Sequence, residues 1–345
     1  MQLQQRINAI VKLGTVLSQL NSENENAAIV TLFEQAKANN GWFSQENVIF
    51  ACQNWSDALS EENLNQWIFA YDANKFEVVE SDVKIIAVVM AGNVPLVGFH
   101  DFISVLLSGH KVLVKLSSND RLLLPYLTKQ LLIIEPAFED YIFFTEEKLE
   151  HFDAVIATGS DNTARYFDHY FGKYPNIIRH NRNSVAVLTG KESTQQLEAL
   201  ANDIFRYFGL GCRNVSKIYI PKGYNFDAFF KAVFSWKHVI HDNKYINNYD
   251  YNKAVYLMSL LEVLDNEFLL LKEDTGFSSP ISVVFYEHYE TQEKLKRHLA
   301  EHQSSIQCIV SETGLPNEIP FGKAQAPNLW DYADGVDTLR FLLNL

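Results

Sequence analysis

Cys212 is the residue of this sequence best suited to nucleophilic chemistry, because it lies in the stretch Gly209-Leu210-Gly211-Cys212 between a predicted helix and a predicted strand. A cysteine thiolate attacks carbonyl carbons, and glycine lets a loop backbone approach a substrate closely. The amide groups of such a loop can also stabilise a developing oxyanion. A lone cysteine is more often a small buried residue, so this loop predicts catalysis only in combination with other segments.

A second segment with possible chemistry is Asn93-Val94-Pro95, which follows an apolar run and opens a predicted helix. Ligands of α/β proteins bind at the carboxyl edge of a parallel sheet, where such a turn lies. Asn93 could therefore direct its side-chain amide toward a ligand. The alternative is an ordinary Asn-x-Pro turn, since turns use these residues routinely.

A third segment, Gly159-Ser160, also stands between a predicted strand and a predicted helix. Backbone amides at the start of a helix bind phosphate groups, so this turn could hold a nucleotide. The alternative is a simple helix cap, because the glycine fingerprint GxGxxG of dinucleotide-binding folds is absent.

The elements that must position these residues are predicted from the hydrophobic pattern. Residues 1 to about 78 have the spacing of consecutive helices, whereas from Val83 short apolar runs alternate with amphipathic stretches, as in parallel sheets covered by helices. We predict an α/β fold in which residues 1–183 form the N-terminal helices and a nucleotide-binding domain. Residues 184–319 form a catalytic domain that carries the cysteine. The tail, residues 320–345, is expected to pack back onto the body or onto another subunit.

Composition excludes several classes of function. The chain has 345 residues, 47% of them hydrophobic, and a formal net charge of -13, which argues against nucleic acid as a partner. Cys52, Cys212 and Cys308 lack the spacing of a disulfide framework or a metal site, so we expect a reducing, cytoplasmic environment. No apolar run reaches the roughly 20 residues of a membrane span, and the N-terminus does not read as a signal peptide.

Taken in order, these segments resemble the aldehyde dehydrogenase superfamily. Four motifs of that superfamily occur here in the same order. They are an Asn-x-Pro turn at 93–95, a glycine followed by an apolar strand that ends in lysine at 109–115, a Gly-Ser turn at 159–160 and a cysteine loop at 211–212. Within the superfamily, the chain is most similar to fatty acyl-CoA reductases related to the long-chain reductase of bacterial luminescence. That similarity is carried by residues 158–165, 182–187, 279–284 and 320–337. It implies an aldehyde-dehydrogenase-like fold with two doubly wound parallel-sheet domains.

The resemblance implies roles for individual residues. Cys212 would attack an acyl thioester, expel the thiol and keep the acyl group as an acyl-enzyme. Hydride from a reduced nicotinamide would then release that acyl group as the aldehyde. Asn93 and the backbone amide of Cys212 would form the oxyanion hole. The implied cofactor-binding residues are Lys115, Ser117, Ser118, Gly159, Ser160 and Glu273, although Glu273 stands at a different spacing from the following proline than in the family.

Two departures from the superfamily sharpen the prediction. Acid-producing aldehyde dehydrogenases carry a Glu-Leu-Gly-Gly segment whose glutamate activates water, whereas residues 178–182 of this chain contain no carboxylate, so hydrolysis is disfavoured. His180 in this stretch is a candidate acid or base, or a surface residue. NAD-preferring members of the superfamily often carry a glutamate at the position of Ser118, and its charge would repel the 2'-phosphate of NADPH. Because Ser118 is uncharged, we expect NADPH to be preferred over NADH.

We therefore expect NADPH-dependent reduction of a fatty acyl thioester, such as an acyl-CoA, to the aldehyde. The alternatives are a CoA-acylating aldehyde dehydrogenase that oxidises short aldehydes, and a non-catalytic relative that binds a nucleotide or acyl group. The acyl donor could be CoA, an acyl carrier protein or an acylated partner enzyme. By analogy, we expect a homo-oligomer.

Overall fold

The computed structural model describes residues 1–24, 26–159 and 161–345, and for 161 and 162 only the backbone. The chain forms two compact units: Met1–His180 with Asn328–Leu345, and Asn181–Pro327. The second unit thus begins three residues before the expected boundary after residue 183. Of the expected tail, residues 320–327 belong to the second unit and only the remainder to the first.

The first unit begins with helices and contains no strand before residue 85 in its described part. Helices α1 (Leu3–Ser18), α2 (Ala27–Asn39), α3 (Gln45–Ala58) and α4 (Glu61–Ile68) follow one another. Their starts are set by side chains that cap the free amides: Asn26, Ser44 and Ser60 each accept a hydrogen bond from the first turn of the next helix. Their apolar faces join the core of this unit, with Trp67 almost completely buried.

A parallel sheet forms the centre of the first unit. Its strands are β1 (Ile85–Val89), β2 (Lys111–Lys115), β3 (Ile142–Phe144), β4 (Ala154–Thr158) and β5 (Asn176–Arg179), in the order β3-β2-β1-β4-β5. Helices α5 (Phe99–Ser108), α6 (Leu123–Ile134) and α7 (Asp161–Phe171) connect them. Strand β1 pairs with both β2 and β4, so the loops that follow these strands emerge next to one another at the carboxyl edge.

The second unit contains a larger mixed sheet. Its strands are β6 (Asn183–Val187), β7 (Val215–Pro221), β8 (Leu264–Asp265), β9 (Leu270–Glu273), β10 (Val283–Tyr289), β11 (Ile306–Val310) and β12 (Glu318–Ile319). The order is β12-β11-β6-β7-β10-β9-β8, and the pairs are parallel except β8 with β9. The helices are α8 (Thr194–Phe205), α9 (Asp227–Val233), α10 (Asn243–Met258) and α11 (Gln292–Glu301), while α12 (Thr338–Leu342) belongs to the first unit.

The predicted α/β class is therefore confirmed, with local corrections. The polar stretch 179–183 predicts a junction, and the division between the two units falls within it, between His180 and Asn181, although Arg179 still ends β5 and Asn183 begins β6. The pattern of residues 193–208 predicts one helix, but α8 ends at Phe205, because the next residues leave helical geometry. In the part of the chain that the structure describes, no helix is both long and apolar enough to cross a membrane.

Candidate active site

The loop that carries Cys212 is shaped by an abrupt end to helix α8. Tyr207, Phe208 and Gly209 all have left-handed backbone angles, with φ of 55°, 57° and 76°. This conformation is unfavourable for residues with a Cβ, so it stops the helix and turns the chain toward strand β7. Cys212 follows three residues later with an exposed side chain, whereas Cys52 and Cys308 are buried.

Asn214 holds this loop together from within. Its side-chain oxygen accepts a hydrogen bond from the amide of Gly211 at 2.8 Å, and its own amide donates to the carbonyl of Gly211 at 3.0 Å. Its side-chain nitrogen donates to the carbonyls of Asp203 at 3.0 Å and Arg206 at 2.8 Å, which lie at the end of α8. The buried Asn214 thus caps the helix and fixes the turn on both sides of Cys212.

The backbone of Cys212 is also fixed by the neighbouring strand. The hydroxyl of Ser184, a fully buried residue of β6, donates to the carbonyl of Cys212 at 3.0 Å. The same hydroxyl lies 2.9 Å from the sulfur of Cys308. Because a serine has one hydroxyl hydrogen, the thiol of Cys308 must be the donor in that second contact. Cys308 therefore helps to hold the loop of Cys212 through its contact with Ser184.

A cavity lies directly beside the cysteine loop, within the second unit. It opens to solvent, and the backbone of Gly209 and Gly211 forms part of its wall. Phe205, Phe208 and Tyr245 are its aromatic lining residues, and polar residues such as Asn214 and Ser216 line it as well. Apolar and polar groups occur together in this way in small-molecule sites.

Asn93 lies in the first unit, in the loop that follows β1, and its side chain is exposed. The loop is anchored by buried polar groups. The amide of Leu96, whose φ is 58°, donates to the carboxylate of Asp120 at 3.2 Å. On the other side of Asn93, the side-chain amide of Asn40 donates to the carbonyl of Gly92 at 3.2 Å.

Burial raises the pKa of Asp120 to about 6, against the opposing effect of the amides of Leu96, Leu123 and Leu122 that donate to it. A buried carboxylate is costly to ionise, so Asp120 lowers the stability of the fold unless the hydrogen bonds that it accepts are needed. Here the acceptor holds the Asn93 loop to the start of α6.

The first unit brings several predicted cofactor residues to one place. Lys115 ends β2, and its ammonium donates to the carbonyl of Glu147 at 2.9 Å. Ser117 and Ser118 follow in the same loop, Ser118 with an exposed side chain. A Cβ added to Gly92 would lie 2.5 Å from the hydroxyl of Ser117, so only glycine lets the loops after β1 and β2 approach this closely.

Gly159 directly follows β4, the other neighbour of β1, so it lies at the same edge of the sheet as Lys115. Helix α7 begins two residues later and offers its amino end there. Ser160, also predicted to bind the cofactor, lies outside the described residues.

The two remaining predicted site residues lie in different places. His180 is exposed and directly follows β5, whose last residue Arg179 is in register with Thr158 of β4, so His180 lies at the carboxyl edge beside Gly159. Glu273 is exposed at the end of β9 and is in register with Tyr286, which in turn pairs with Ile218. The cysteine loop enters at the amino end of β7, so Glu273 lies partway along the sheet from it.

Arg179 lies in the stretch 178–182, which contains no carboxylate, and it forms an ion pair within the first unit. Its guanidinium forms a bidentate ion pair with the buried Asp101 of α5, with Nη2 donating to Oδ1 at 2.7 Å. The same nitrogen donates to the hydroxyl of Thr338 in α12 at 3.1 Å. This residue therefore links three elements of the first unit.

The residues that support the loops were not singled out from the sequence. Asn40, Asp120, Asp203 and Asn214 are all buried polar residues whose partners are distant carbonyls or amides. Asp203 offered one sequence signal, because it is a carboxylate within a helix whose neighbours Leu200, Ala201 and Ile204 are apolar.

Comparison with known proteins agrees with this architecture. A family model described as acyl-CoA reductase (LuxC) matches residues 57–231, just over half of the chain. Aldehyde dehydrogenase 21 from Physcomitrella patens, solved with the reaction product succinate, is similar with a TM-score of 0.67 and 13% identity, over 100% of this chain and 84% of its own. Among curated proteins, no significant match was found.

Two further solved structures contain a nucleotide. Indole-3-acetaldehyde dehydrogenase from P. syringae, in complex with NAD+, has a TM-score of 0.64 and 13% identity, over 91% of this chain and 72% of its own. An aldehyde dehydrogenase from Bacillus cereus, also with NAD+, has a TM-score of 0.62 and 12% identity over the same shares. These likenesses confirm the predicted aldehyde-dehydrogenase-like fold.

Proposed function

Because the chain belongs to the acyl-CoA reductase (LuxC) family and is an oxidoreductase, we propose that it reduces a fatty acyl thioester to the aldehyde through an acyl group carried on Cys212. The observation that carries the proposal is the exposed thiol of Cys212 on a loop whose backbone is fixed at Gly211, Cys212 and Asn214. A nucleophile on a fixed loop keeps its sulfur close to the attack geometry, which lowers the entropic part of the barrier.

The first step is a transfer between two sulfur atoms. The thiolate of Cys212 attacks the carbonyl carbon of the thioester, the bond to the departing thiol breaks, and the acyl group remains on the protein. A reduced nicotinamide cofactor, when bound, supplies the hydride that converts this acyl group into an aldehyde. The cysteine leaves as the thiolate and is ready for another turnover.

The absence of a nearby carboxylate in residues 178–182 supports reduction rather than hydrolysis. Residues 178–182 contain no carboxylate, and Arg179 is engaged with Asp101. Water attack on the acyl group needs a general base, which contributes roughly 10²–10⁴ in rate. We propose that the acyl-enzyme therefore persists long enough to be reduced, with His180 as the candidate acid or base of this stretch.

Asn93 is proposed to stabilise the oxyanion that forms when the thiolate adds to the carbonyl. Its loop is held by Asp120 and Asn40, so the amide is offered by a rigid element rather than a mobile turn. Removing one donor of this kind costs about 10²–10³ in kcat. Asn93→Ala should show a loss of that size.

The residues at the carboxyl edge of the first unit's sheet fit a nicotinamide dinucleotide. Lys115 and Ser118 offer a cation and an uncharged hydroxyl, and α7 offers its amino end after Gly159. Because Ser118 carries no negative charge, a 2'-phosphate meets no repulsion there, and we propose NADPH as the preferred cofactor. The close approach of Gly92 to Ser117 leaves this edge compact.

The acyl chain is proposed to lie in the cavity beside the cysteine loop. Phe205, Phe208 and Tyr245 give part of that cavity an apolar surface, and the cavity reaches the backbone of Gly211, next to the sulfur-bearing residue. Contact with that apolar surface favours a fatty acyl group over acetate, because each buried methylene contributes about 0.8 kcal/mol. The rate constant for acylation should rise with chain length until the cavity is full.

The decisive experiment mixes the protein with acyl-CoAs from acetyl to palmitoyl and measures protein mass without cofactor, then oxidation of NADPH or NADH. The proposal expects an acyl adduct on Cys212 and aldehyde on adding NADPH, both lost in Cys212→Ala. Cys52→Ala is the matched control, because Cys52 is a buried residue of the other unit. Turnover that persists in Cys212→Ala would contradict the mechanism.

Two other outcomes point to the alternatives. Aldehyde oxidation that depends on CoA, without reduction of any acyl-CoA under the same conditions, would indicate the reverse direction with short aldehydes. Neither acylation nor cofactor binding would indicate a non-catalytic relative that binds a nucleotide or an acyl group.

A further inference from the structure

We propose that residues 320–327, which we call the strap, hold the cysteine loop in its reactive position, and that Asp203 is the positioning residue that fastens the strap. The inference rests on the proposed role of Cys212 as a nucleophile. It assigns a function to a stretch near the end of the chain whose sequence shows no chemistry of its own.

The strap is fastened at two amides to one carboxylate. Asp203, in the last turns of α8, is fully buried. Its carboxylate accepts hydrogen bonds from the amide of Gly322 at 2.6 Å and from the amide of Ala324 at 3.0 Å. Gly322 has a φ of 81°, and a Cβ there would come within 2.9 Å of the side chain of Ala199 on the same helix. The strap thus lies closely against α8.

The strap is also bonded to the residue next to the nucleophile. Nε of Arg213 donates to the carbonyl of Ala324 at 2.6 Å. The side-chain amide of Gln325 donates to the backbone carbonyl of Asp203 at 3.4 Å, beside the bond that Asn214 makes to the same oxygen. Cys212 is therefore followed directly by two residues whose side chains hold it to α8 and the strap.

The choice of a carboxylate at position 203 is not explained by stability. Burial raises the pKa of Asp203 to about 7, although the amides of the strap and the charge of Arg213 lower it. A raised pKa means that the ionised form is disfavoured by the fold at neutral pH. A buried carboxylate kept under that cost indicates a requirement for its geometry: two acceptor oxygens that hold two strap amides, those of Gly322 and Ala324.

The consequence is a chain of contacts that sets the position of the sulfur. Asp203 holds the strap, the strap holds Arg213, and Asn214 holds Gly211 and the end of α8. A displacement of about 1 Å at a reacting atom costs roughly 10² in rate. Releasing the strap should therefore slow the reactions of Cys212 without removing any group that touches the substrate.

The test compares Asp203→Asn with Glu198→Gln. Both remove one carboxylate from α8, but Glu198 is exposed and makes no contact with the strap among the hydrogen bonds described. Two rate constants are measured: alkylation of Cys212 by iodoacetamide, which needs no acyl substrate, and acylation by an acyl-CoA. We expect Asp203→Asn to lower the acylation rate constant by about 10- to 100-fold, with KM for acyl-CoA unchanged. Alkylation should change less, because attack of a small reagent on an exposed thiol needs no bound geometry. Glu198→Gln should leave both rate constants unchanged.

Arg213→Lys is the second variant, and it decides the matter if Asp203→Asn does not fold. It keeps a positive charge beside the thiol but removes the Nε donor to Ala324, so a slower reaction reports position rather than charge. Hydrogen exchange at the amide of Gly211 should be faster in either variant. This readout follows the loop itself and would not change if the strap only stabilised the remainder of the unit.

The outcomes separate this inference from the proposed function. If the wild-type protein is alkylated but never acylated, while Asp203→Asn still speeds exchange at the amide of Gly211, the proposed function fails and the strap is supported. Wild-type exchange at that amide in a folded Asp203→Asn or Arg213→Lys would overturn the strap. Equal slowing by Glu198→Gln would also overturn it, because the effect would then follow net charge.

Discussion

Replacing Arg179 alone should destabilise the first unit strongly, because it would leave the carboxylate of Asp101 buried without its partner. The two side chains are only 9% and 2% exposed, and they meet in a bidentate pair. Arg179→Leu removes the charge and the hydrogen bonds to Asp101 and Thr338 while keeping apolar bulk. The pair links β5, α5 and α12, so its loss should be felt throughout this unit.

The expected size follows from the burial of the pair. Removing one member of a buried ion pair costs about 3–5 kcal/mol in the free energy of unfolding, because the remaining charge is desolvated and uncompensated. Replacing both members by apolar residues is often nearly neutral. We therefore expect Arg179→Leu to lose about 3–5 kcal/mol, and the double variant with Asp101→Leu to recover most of it.

Urea unfolding followed by tryptophan fluorescence measures this prediction. Trp42, Trp55, Trp67 and Trp330 belong to the first unit and only Trp236 to the second, so the signal follows mainly the unit that contains the ion pair. The transition midpoint should fall in the single variant and return in the double variant. Circular dichroism recorded in parallel follows both units.

Two results would refute the reasoning. If Arg179→Leu changed the free energy of unfolding by less than about 1 kcal/mol, the charge of Asp101 would not be buried as the structure has it. If the double variant were less stable than the single one, packing rather than charge would dominate at this position. Arg179→Lys adds a check, since it keeps the charge but lacks the fork needed for two parallel bonds.

Further predictions concern cofactor choice, the Asn93 loop and acid stability. Ser118→Glu should shift the ratio of kcat/KM for NADPH and NADH toward NADH, because the new charge repels a 2'-phosphate; an unchanged ratio would remove Ser118 from the cofactor site. Asp120→Ala removes the acceptor for the amide of Leu96, so hydrogen exchange at that amide should be faster and kcat should fall about tenfold or more. Unchanged exchange at that amide would contradict the anchoring role of Asp120. Burial favours the neutral form of Asp101, but Arg179 and His100 together outweigh it and lower the pKa of Asp101 to about 2. Because the pKa of Asp101 is lower in the folded than in the unfolded state, the ion pair stabilises the fold above about pH 4, and this stabilisation is lost as the pH falls toward 2. In acid unfolding curves, Arg179→Leu should abolish this part of the pH dependence.

Much of the secondary structure around the candidate site follows from local sequence pattern. The run Lys-Val-Leu-Val-Lys predicts a strand over 111–115 that coincides with β2, and Ala-Val-Ile-Ala predicts one over 154–157 that lies within β4. Each run has an apolar centre with two β-branched residues, which suits a buried parallel sheet. The resemblance to acyl-CoA reductases, which was drawn from ordered motifs, is confirmed by the family match over residues 57–231.

The elements that escaped prediction are those whose pattern is ambiguous. Strand β5 is an edge strand with polar residues at both ends, so its sequence reads as a loop. Strand β9 follows Phe268 and Leu269 in a continuous apolar run, which periodicity cannot distinguish from a buried piece of helix. The end of α8 was placed too late, because the left-handed turn at Tyr207 and Phe208 is forced by the surrounding contacts rather than by these residue types.

The sequence by itself determined which candidate groups this protein has: a cysteine directly after Gly211, an asparagine after an apolar run, and no carboxylate in residues 178–182. Those statements depend only on residue types and their order. The tertiary structure alone decided what holds the cysteine loop in place. Asp203 and Gly322 are more than 100 residues apart, and a hydrogen bond between such residues exists only once the chain has folded. The candidate nucleophile could therefore be proposed from the sequence, whereas the strap and the buried side chains that are bonded to its loop could not.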